Sequence, residues 1–329
     1  MVSGLGARYT GAIAALSVII VSYNSARWLG PCLESVFAHA GGCELEVVVV
    51  DNGSSDGSAE LVEREFEAVR VLRNENRGFA HANNRGFEIT HAPFALFLNP
   101  DTEIREGTFA ELVEMLRARP SVGLIGCRQI TDEGAVYPTI RRFPTPTRQL
   151  LEALGSERLP FQASWTGQRQ LDPAAYERET PCDWVSGSFM LARREAVLQA
   201  GLMDERYFLY CEEPDLCAAI KAAGWEVRYV PAMTILHQWG NNSHSPRLVA
   251  QEAHAYRQYF HKHEGAVRRR LSAGALGLFY ARRAIALGRG DPGAKARRSA
   301  ARAGLLTVLG AARPPFGELS GPVSGPRQA

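Results

Sequence analysis

Asp101 closes the run Phe94-Ala95-Leu96-Phe97-Leu98-Asn99-Pro100-Asp101, an apolar stretch that stops abruptly on a proline turn. A run with no polar alternation predicts a strand buried on both faces, and such a strand delivers Asp101 to the carboxyl edge of a sheet. Open α/β sheets bind ligands at that edge. Pro100 removes a donor and keeps Asn99 extended, so the carboxylate is set either to hold a hard cation against a phosphate or to cap the next helix. Asp51 ends a second run, Leu45 to Val50, and leads into Asn52-Gly53-Ser54. Its carboxylate can accept the imide N–H of uracil or thymine, or simply stabilise its turn. Tyr23, just after Ser17 to Ser22, can cover the face of a base.

Further along, Gly78 opens a helix whose start can face a phosphate or a base, with Arg77 beside it and Asn84 on the face shared with Ala80 and Phe87. An inward Asn can equally satisfy backbone groups. Trp184-Val185-Ser186-Gly187-Ser188-Phe189-Met190-Leu191 predicts a strand led by small residues. There Gly187 permits close approach of a sugar, and Trp184 offers an apolar face or a core side chain. Glu212, Glu213 and Asp215 lie before and inside a predicted helix, with Pro214 in its first turn, where acids serve as caps or as reactive groups. Tyr207, Phe208 and Tyr210 would keep the site partly dry, and a dry carboxylate gains the raised pKa that a general base needs. His237 ends the strand pattern Glu226 to Leu236 and can supply a nitrogen ligand beside Asp101. The polar segment from Gln238 through Trp239 to His244 comes next.

These residues need a frame that brings strand ends together. Ala26 to His39 carries Trp28, Leu29, Leu33, Val36 and Phe37 at helical spacing, a second helix starts near Ser55-Asp56-Gly57, and Val69 to Leu72 is followed by a helix over Gly78 to Thr90. Strands alternating with helices predict a parallel sheet with right-handed crossovers. Tyr23, Asp51 and Asp101 should then share one rim.

The 329 residues carry a formal charge of +2, unevenly spread: Lys262 to Arg313 holds twelve Arg or Lys against Glu264 and Asp291, a net of +10, leaving −8 elsewhere. Only Lys221, Lys262 and Lys295 are lysines, an arginine bias that suits phosphate recognition but is the one a GC-rich genome gives, and the genome is the favoured reading. The six cysteines form no CxxC and no ligand spacing with histidine, as expected of reduced cytosolic thiols. No secretory signal is apparent, and no segment reaches the roughly 20 uncharged apolar residues of a membrane span. Leu271 to Leu287, interrupted by Arg282 and Arg283 and flanked by further arginines, can lie among the headgroups of an anionic membrane or pack on the domain with a solvated basic face. Beyond Pro314 the composition predicts a frayed tail. The basic segment lacks interleaved aromatics beyond Phe279 and Tyr280, so no nucleic-acid partner is expected.

Val21-Ser22-Tyr23-Asn24, Val50 to Ser58, Asn76-Arg77-Gly78-Phe79-Ala80, Asn99-Pro100-Asp101, Gly187-Ser188-Phe189-Met190, Glu212 to Leu216 and His237 occur in the order found in the family-2 glycosyltransferases. The chain resembles that family over roughly Leu16 to His263. The resemblance implies an α/β GT-A fold with a Rossmann-like, mostly parallel central sheet. It implies an inverting single displacement that moves a sugar from a UDP- or dTDP-sugar to a hydroxyl of a glycan or polyprenyl-linked acceptor. In that reading Tyr23, Asp51, Arg77 and Asn84 serve the nucleotide, and Trp184, Gly187 and Asp215 the sugars. Asp101 and His237 bind Mg²⁺ or Mn²⁺, and Glu213, with Glu212 as its neighbour, is the base.

Two departures from the usual pattern are present. Asn99 stands where the metal motif has a first acid, an Asn-Pro-Asp form similar to that of bacterial rhamnosyltransferases of cell-wall and O-antigen assembly, so L-rhamnose is a candidate sugar. Glu212-Glu213 replaces the common Glu-Asp. The expected organisation is a lead-in over 1–15, the catalytic domain over 16–263, a basic amphipathic helical extension over 264–313 and a disordered tail over 314–329. A cytoplasmic protein, peripheral on the inner membrane face, is expected, with acceptor contacts around Arg141 to Thr180. A nucleotidyltransferase would need a Gly-rich basic loop after the first strand, and a dehydrogenase a GxGxxG there; neither is present. The alternative outside enzymology is a noncatalytic nucleotide-sugar or membrane-surface adaptor.

Overall fold

The computed structural model describes residues 14–156, 167–238, 245–285, 293–312 and 314–316. The lead-in over 1–13, the Trp239 to His244 segment, Ala286-Leu287 and the tail from 317 lie outside the described residues. From the start, β1 (Leu16–Ser22), α1 (Ala26–Ala38), β2 (Leu45–Asp51), α2 (Ser58–Glu65), β3 (Val69–Arg73), α3 (Phe79–Glu88) and β4 (Phe94–Leu98) alternate as the sequence pattern predicts. β1 pairs in parallel with β2 and β4, and β2 with β3. Both faces of β1 are used: Val18 and Ile20 enter one apolar cluster with Leu29, Leu33 and Val36 of α1, while Ile19 and Val21 enter another with Ala80, Ala82 and Phe87 of α3. The two-sided burial is why these strands read as unbroken apolar runs.

The second half continues with β5 (Thr102–Glu106), α4 (Phe109–Ala118), β6 (Val122–Ile130), β7 (Ile140–Arg141), α5 (Pro146–Leu154), β8 (Thr180–Pro181), β9 (Trp184–Val185), β10 (Phe189–Arg193), α6 (Arg194–Ala200), α7 (Glu212–Ala222) and β11 (Glu226–His237). The main sheet has the order β3-β2-β1-β4-β10-β6-β11-β5, with β8 alongside β11. β10 runs antiparallel to β4 and β6, β5 and β8 run antiparallel to β11, and the remaining pairs are parallel. The strand expected behind a small-residue loop is β10, which joins the main sheet, and Trp184-Val185 ahead of that loop forms a further short strand, β9, paired with β7 in a small separate sheet. Ser186-Gly187-Ser188 is the link between β9 and β10, and it passes directly over the start of α7.

Helices α8 (Pro246–His263), α9 (Ala266–Ile285) and α10 (Ala294–Val308) complete the described chain. The boundary expected between 263 and 264 falls inside one apolar cluster, where Tyr259 and Phe260 of α8 meet Leu276 and Tyr280 of α9, Leu305 of α10, and Tyr207 and Cys211. α8, α9 and α10 share that cluster. The described start of the tail is also packed: Phe316 stacks on Phe208 at 4.5 Å, and the Arg247 guanidinium lies 4.3 Å from the Phe316 ring.

Candidate active site

The register of two strand pairs builds the centre of the site. His237, the last residue of β11, sits opposite Thr102, the first residue of β5, and the Gln238 N–H donates to the Asp101 carbonyl at 2.9 Å. Asp101 precedes Thr102, so this pairing brings the His237 Nε2 to 3.3 Å from the Asp101 carboxylate. On the other side β10 lies against β4 with Phe189 opposite Leu98, and the Asn99 N–H donates to the Ser188 carbonyl at 3.1 Å. The Thr102 hydroxyl donates to the Asn99 carbonyl at 2.7 Å and fastens the proline turn. The turn after β4 thus lies between two strands that arrive much later in the chain.

A cavity of about 860 Å³ opens along this edge, lined among others by Tyr23, Asn52, Asn99, Gly187, Glu213 and His237. At its far end the loops after β1 and β2 are stitched together. The Asn24 N–H donates to the Ser54 hydroxyl, the Ser55 N–H to the Asn24 side-chain oxygen, and the Ala26 N–H to the Asp56 carboxylate at 3.0 Å. Asp56 therefore serves the start of α1 as well as the start of α2, where it accepts from the Ser58 N–H. Tyr23 stands 54% exposed beside the buried Asp51. One Asp51 oxygen accepts from the Ser54 N–H at 3.2 Å, and the other finds no donor among the described residues. A buried acceptor without a donor is costly, so this oxygen is suited to a ligand N–H.

Glu212 and Glu213 occupy the first turn of α7 and both line the cavity. Burial, the repulsion of Glu213 and that of Asp215 push the Glu212 carboxyl well up, and its Oε2 has no partner among the described residues. Burial also raises Glu213, but the Gly187 N–H and the Arg141 guanidinium oppose that rise by favouring its ionised form. Gly187 is held so close that a Cβ there would stand 2.5 Å from the Glu213 Oε1. The link between β9 and β10 is thus the surface on which the Glu213 carboxylate rests.

Trp184 lines the cavity wall, its indole N–H donating to the Arg142 carbonyl at 3.0 Å. Other predicted residues are turned elsewhere. Asn84 is buried and committed to the Met203 carbonyl and N–H at 2.8 and 3.1 Å and to Glu205 at 3.1 Å. Asp215 accepts from the Lys262 ammonium at 2.7 Å and the His263 ring at 2.6 Å, tying α7 to α8 outside the cavity. Arg77 is exposed and does not line the cavity, although Asn76 and Gly78 on either side of it do. The first amide of α3 is also taken, since the Phe79 N–H donates to the Phe208 carbonyl at 2.7 Å.

Two contributors were not singled out from the sequence. Arg141, on the two-residue strand β7, lines the cavity with its guanidinium 5.6 Å from the Trp184 ring centroid, and its charge favours the ionised form of Glu213. Phe316 lines the cavity from the far end of the described chain. Neither lies in a periodic element, so no sequence pattern marked them.

The fold is that of a GT-A glycosyltransferase. The structure of the mannosyltransferase PcManGT from Pyrobaculum calidifontis, in complex with GDP-Man and Mn²⁺, superposes with a TM-score of 0.54 at 17% identity, covering 90% of this chain and 87% of that one. The family model for glycosyl transferase family 2 matches residues 17–179. The N-acetylglucosaminyl-diphospho-decaprenol L-rhamnosyltransferase of Mycobacterium tuberculosis is 32% identical over 239 residues, 68% of this chain and 75% of that protein. Rhamnosyltransferase WbbL of Escherichia coli is 22% identical over 231 residues, 67% of this chain and 82% of that protein. The chain belongs to glycosyltransferase family 2, and it is an enzyme of sugar transfer.

Proposed function

We propose that this enzyme moves a sugar, L-rhamnose in the first instance, from a UDP- or dTDP-sugar to a hydroxyl of a polyprenyl-linked glycan, by a single inverting displacement. The observation that carries the reading is the convergence of Tyr23, Glu213 and His237, with Asp101 against the histidine, on one cavity. The unpartnered Asp51 oxygen supports an imide N–H as its ligand, a group that uracil and thymine share. The rhamnosyltransferase relatives support the choice of sugar and of a lipid-linked acceptor.

Glu213 is the base in this reading. Of the two glutamates, Glu212 is the more strongly biased to keep its proton, because its second oxygen has no donor and its neighbours are carboxylates. Glu213 has an N–H and a guanidinium to favour its charge, and its raised pKa brings it toward the strength needed to accept a proton from an attacking hydroxyl. Asp101 and His237 fit a divalent cation as one carboxylate and one imidazole 3.3 Å apart, with no third His, Cys, Asp or Glu grouped with them among the described residues. So sparse a donor set leaves most coordination positions to diphosphate oxygens, whose charge a bound cation would offset.

The exposed face of α9 supports a membrane-surface location. Val267, Leu271, Leu278 and Ile285 recur at spacings of four and seven, which places them on one helical face, and all four are exposed. Exposed Arg268 and Arg270 flank this stripe, the arrangement of a helix lying on anionic headgroups. No described helix is long and apolar enough to cross a membrane. A thermal-shift screen of UDP- and dTDP-sugars with and without Mn²⁺, followed by product analysis with a prenyl-diphosphate-linked N-acetylglucosamine, tests the reading. Stabilisation by one donor and transfer of its sugar are expected; stabilisation by none of them would refute it.

A further inference from the structure

Behind the wall formed by Arg141, Trp184 and Tyr256 lies a second cavity of about 250 Å³, enclosed by α5, α8, α9 and α10. Arg141, Arg169, Glu252 and Tyr256 line both spaces, so the two are contiguous. β7 supplies Arg141, a backbone bridge places Arg169 opposite it, α9 supplies Arg283 and α10 supplies Arg297. Among the described residues, Arg141, Arg169 and Arg283 make no ion pair; Arg141 rests on the Tyr137 hydroxyl at 3.3 Å, and Arg283 lies 5.2 Å from the Phe279 ring centroid. The Arg141 Nε is buried without a hydrogen-bond partner there. A buried donor left unmade is commonly completed by ligand or water.

Two carboxylates face these four cations, of which Arg297 already has a partner. Glu152 accepts from the Gln168 N–H and side-chain amide at 2.9 and 2.7 Å, and Glu252 accepts from the Tyr280 hydroxyl at 3.1 Å; burial raises the Glu252 pKa, while that hydroxyl and the charges of Arg283 and Arg169 oppose the rise. The cavity therefore carries a positive excess. None of Asn99, Glu213 or His237 lines it, so it is separate from the place where Asp101 and His237 meet.

We propose that Arg141, Arg169, Arg283 and Arg297 form a second anion site that takes the diphosphate of the acceptor. Guanidinium forks match phosphate oxygens in pairs, and four of them suit a group with more than one negative charge. Arg141 also acts on Glu213. An acceptor anchored here would thus present the sugar next to its diphosphate toward the base, and a glycan lacking the diphosphate would lose the anchor. This inference rests on the lipid-linked acceptor proposed above.

The test measures calorimetric binding of farnesyl diphosphate and of inorganic pyrophosphate to the full chain, with the main cavity saturated by UDP or dTDP. Both probes should bind beside the nucleotide, and Arg283→Gln should weaken them about tenfold or more, the loss typical of a charged hydrogen bond. Should Arg283→Gln melt early, Arg169→Gln serves as the second variant, with Arg283→Lys expected to retain part of the affinity. Binding that the nucleotide displaces, that the arginine variants leave intact, or that is absent altogether overturns the site. Donor binding is read separately, so failure of the sugar-transfer reading and failure of this site give different results.

Discussion

Gly187→Ala isolates the contact between the β9–β10 link and the Glu213 side chain. The backbone at Gly187 lies outside the left-handed region, so alanine adds a methyl group without strain of its own. That methyl would stand 2.5 Å from the Glu213 Oε1 and 2.6 Å from its Cγ, where ordinary contact begins near 3.4 Å. The carboxylate must retreat by about 0.9 Å, and because the Cγ is also struck, a simple rotation of the carboxylate does not relieve the clash. A displacement of about 1 Å in a reacting group costs on the order of 100-fold in rate, or about 2.7 kcal/mol of barrier. Steady-state transfer should therefore show kcat reduced about 100-fold, with the KM for donor within a few-fold of the parent and the melting temperature little changed. A kcat within threefold of the parent would refute the claim that Gly187 sets the position of Glu213, as would a loss carried entirely by donor KM.

Glu213→Gln should lower kcat by about 10²- to 10⁴-fold while calorimetry still detects donor binding, since the amide keeps the shape but cannot take a proton. Because burial raises the Glu213 pKa, and the base works only when ionised, kcat/KM should fall as pH drops through a value above the ordinary carboxylate range. A profile flat down to pH 4.5 would count against Glu213. Asp101→Asn should abolish any enhancement of nucleoside-diphosphate affinity by Mn²⁺ or Mg²⁺, and an identical titration in parent and variant would remove the cation from the proposal. Asp215, whose side chain is only 3% exposed against Lys262, should behave differently. Asp215→Asn should cost about 1.5 kcal/mol in denaturant unfolding, the low end for a charged hydrogen bond, because Lys262 is partly exposed and keeps Asp204, while both KM values stay within a few-fold.

The alternation of β1 to β4 with α1 to α3 was legible because each strand is apolar on both faces and each helix carries one apolar stripe. β6 was not, although it sits in the sheet between β10 and β11. Its sequence Val122-Gly123-Leu124-Ile125-Gly126 is interrupted by glycines that weaken any strand pattern. The structure gives their reason: a Cβ at Gly123 would meet Trp225 at 2.6 Å, and one at Gly126 would meet Val185 at 2.7 Å. Those glycines serve packing partners distant in sequence. The same limit governs the site. Residue types and strand-end positions located Tyr23, Asp51, Asp101 and His237, because a strand's end is a local property. The direction of Asn84 and Asp215 is not local: Met203, Glu205, Lys262 and His263 decide it, and they come from other elements.

The pairing of β5 with β11 matters already on the ribosome. The turn bearing Asp101 is braced on one side by a strand that ends at His237, so a nascent chain that has folded its first four strands still lacks half of the brace. At roughly 5–20 residues per second, translation reaches the histidine about 7–27 s after the aspartate. Until then the partly made chain holds an incomplete crevice, and the proline turn is braced by β10 alone at best.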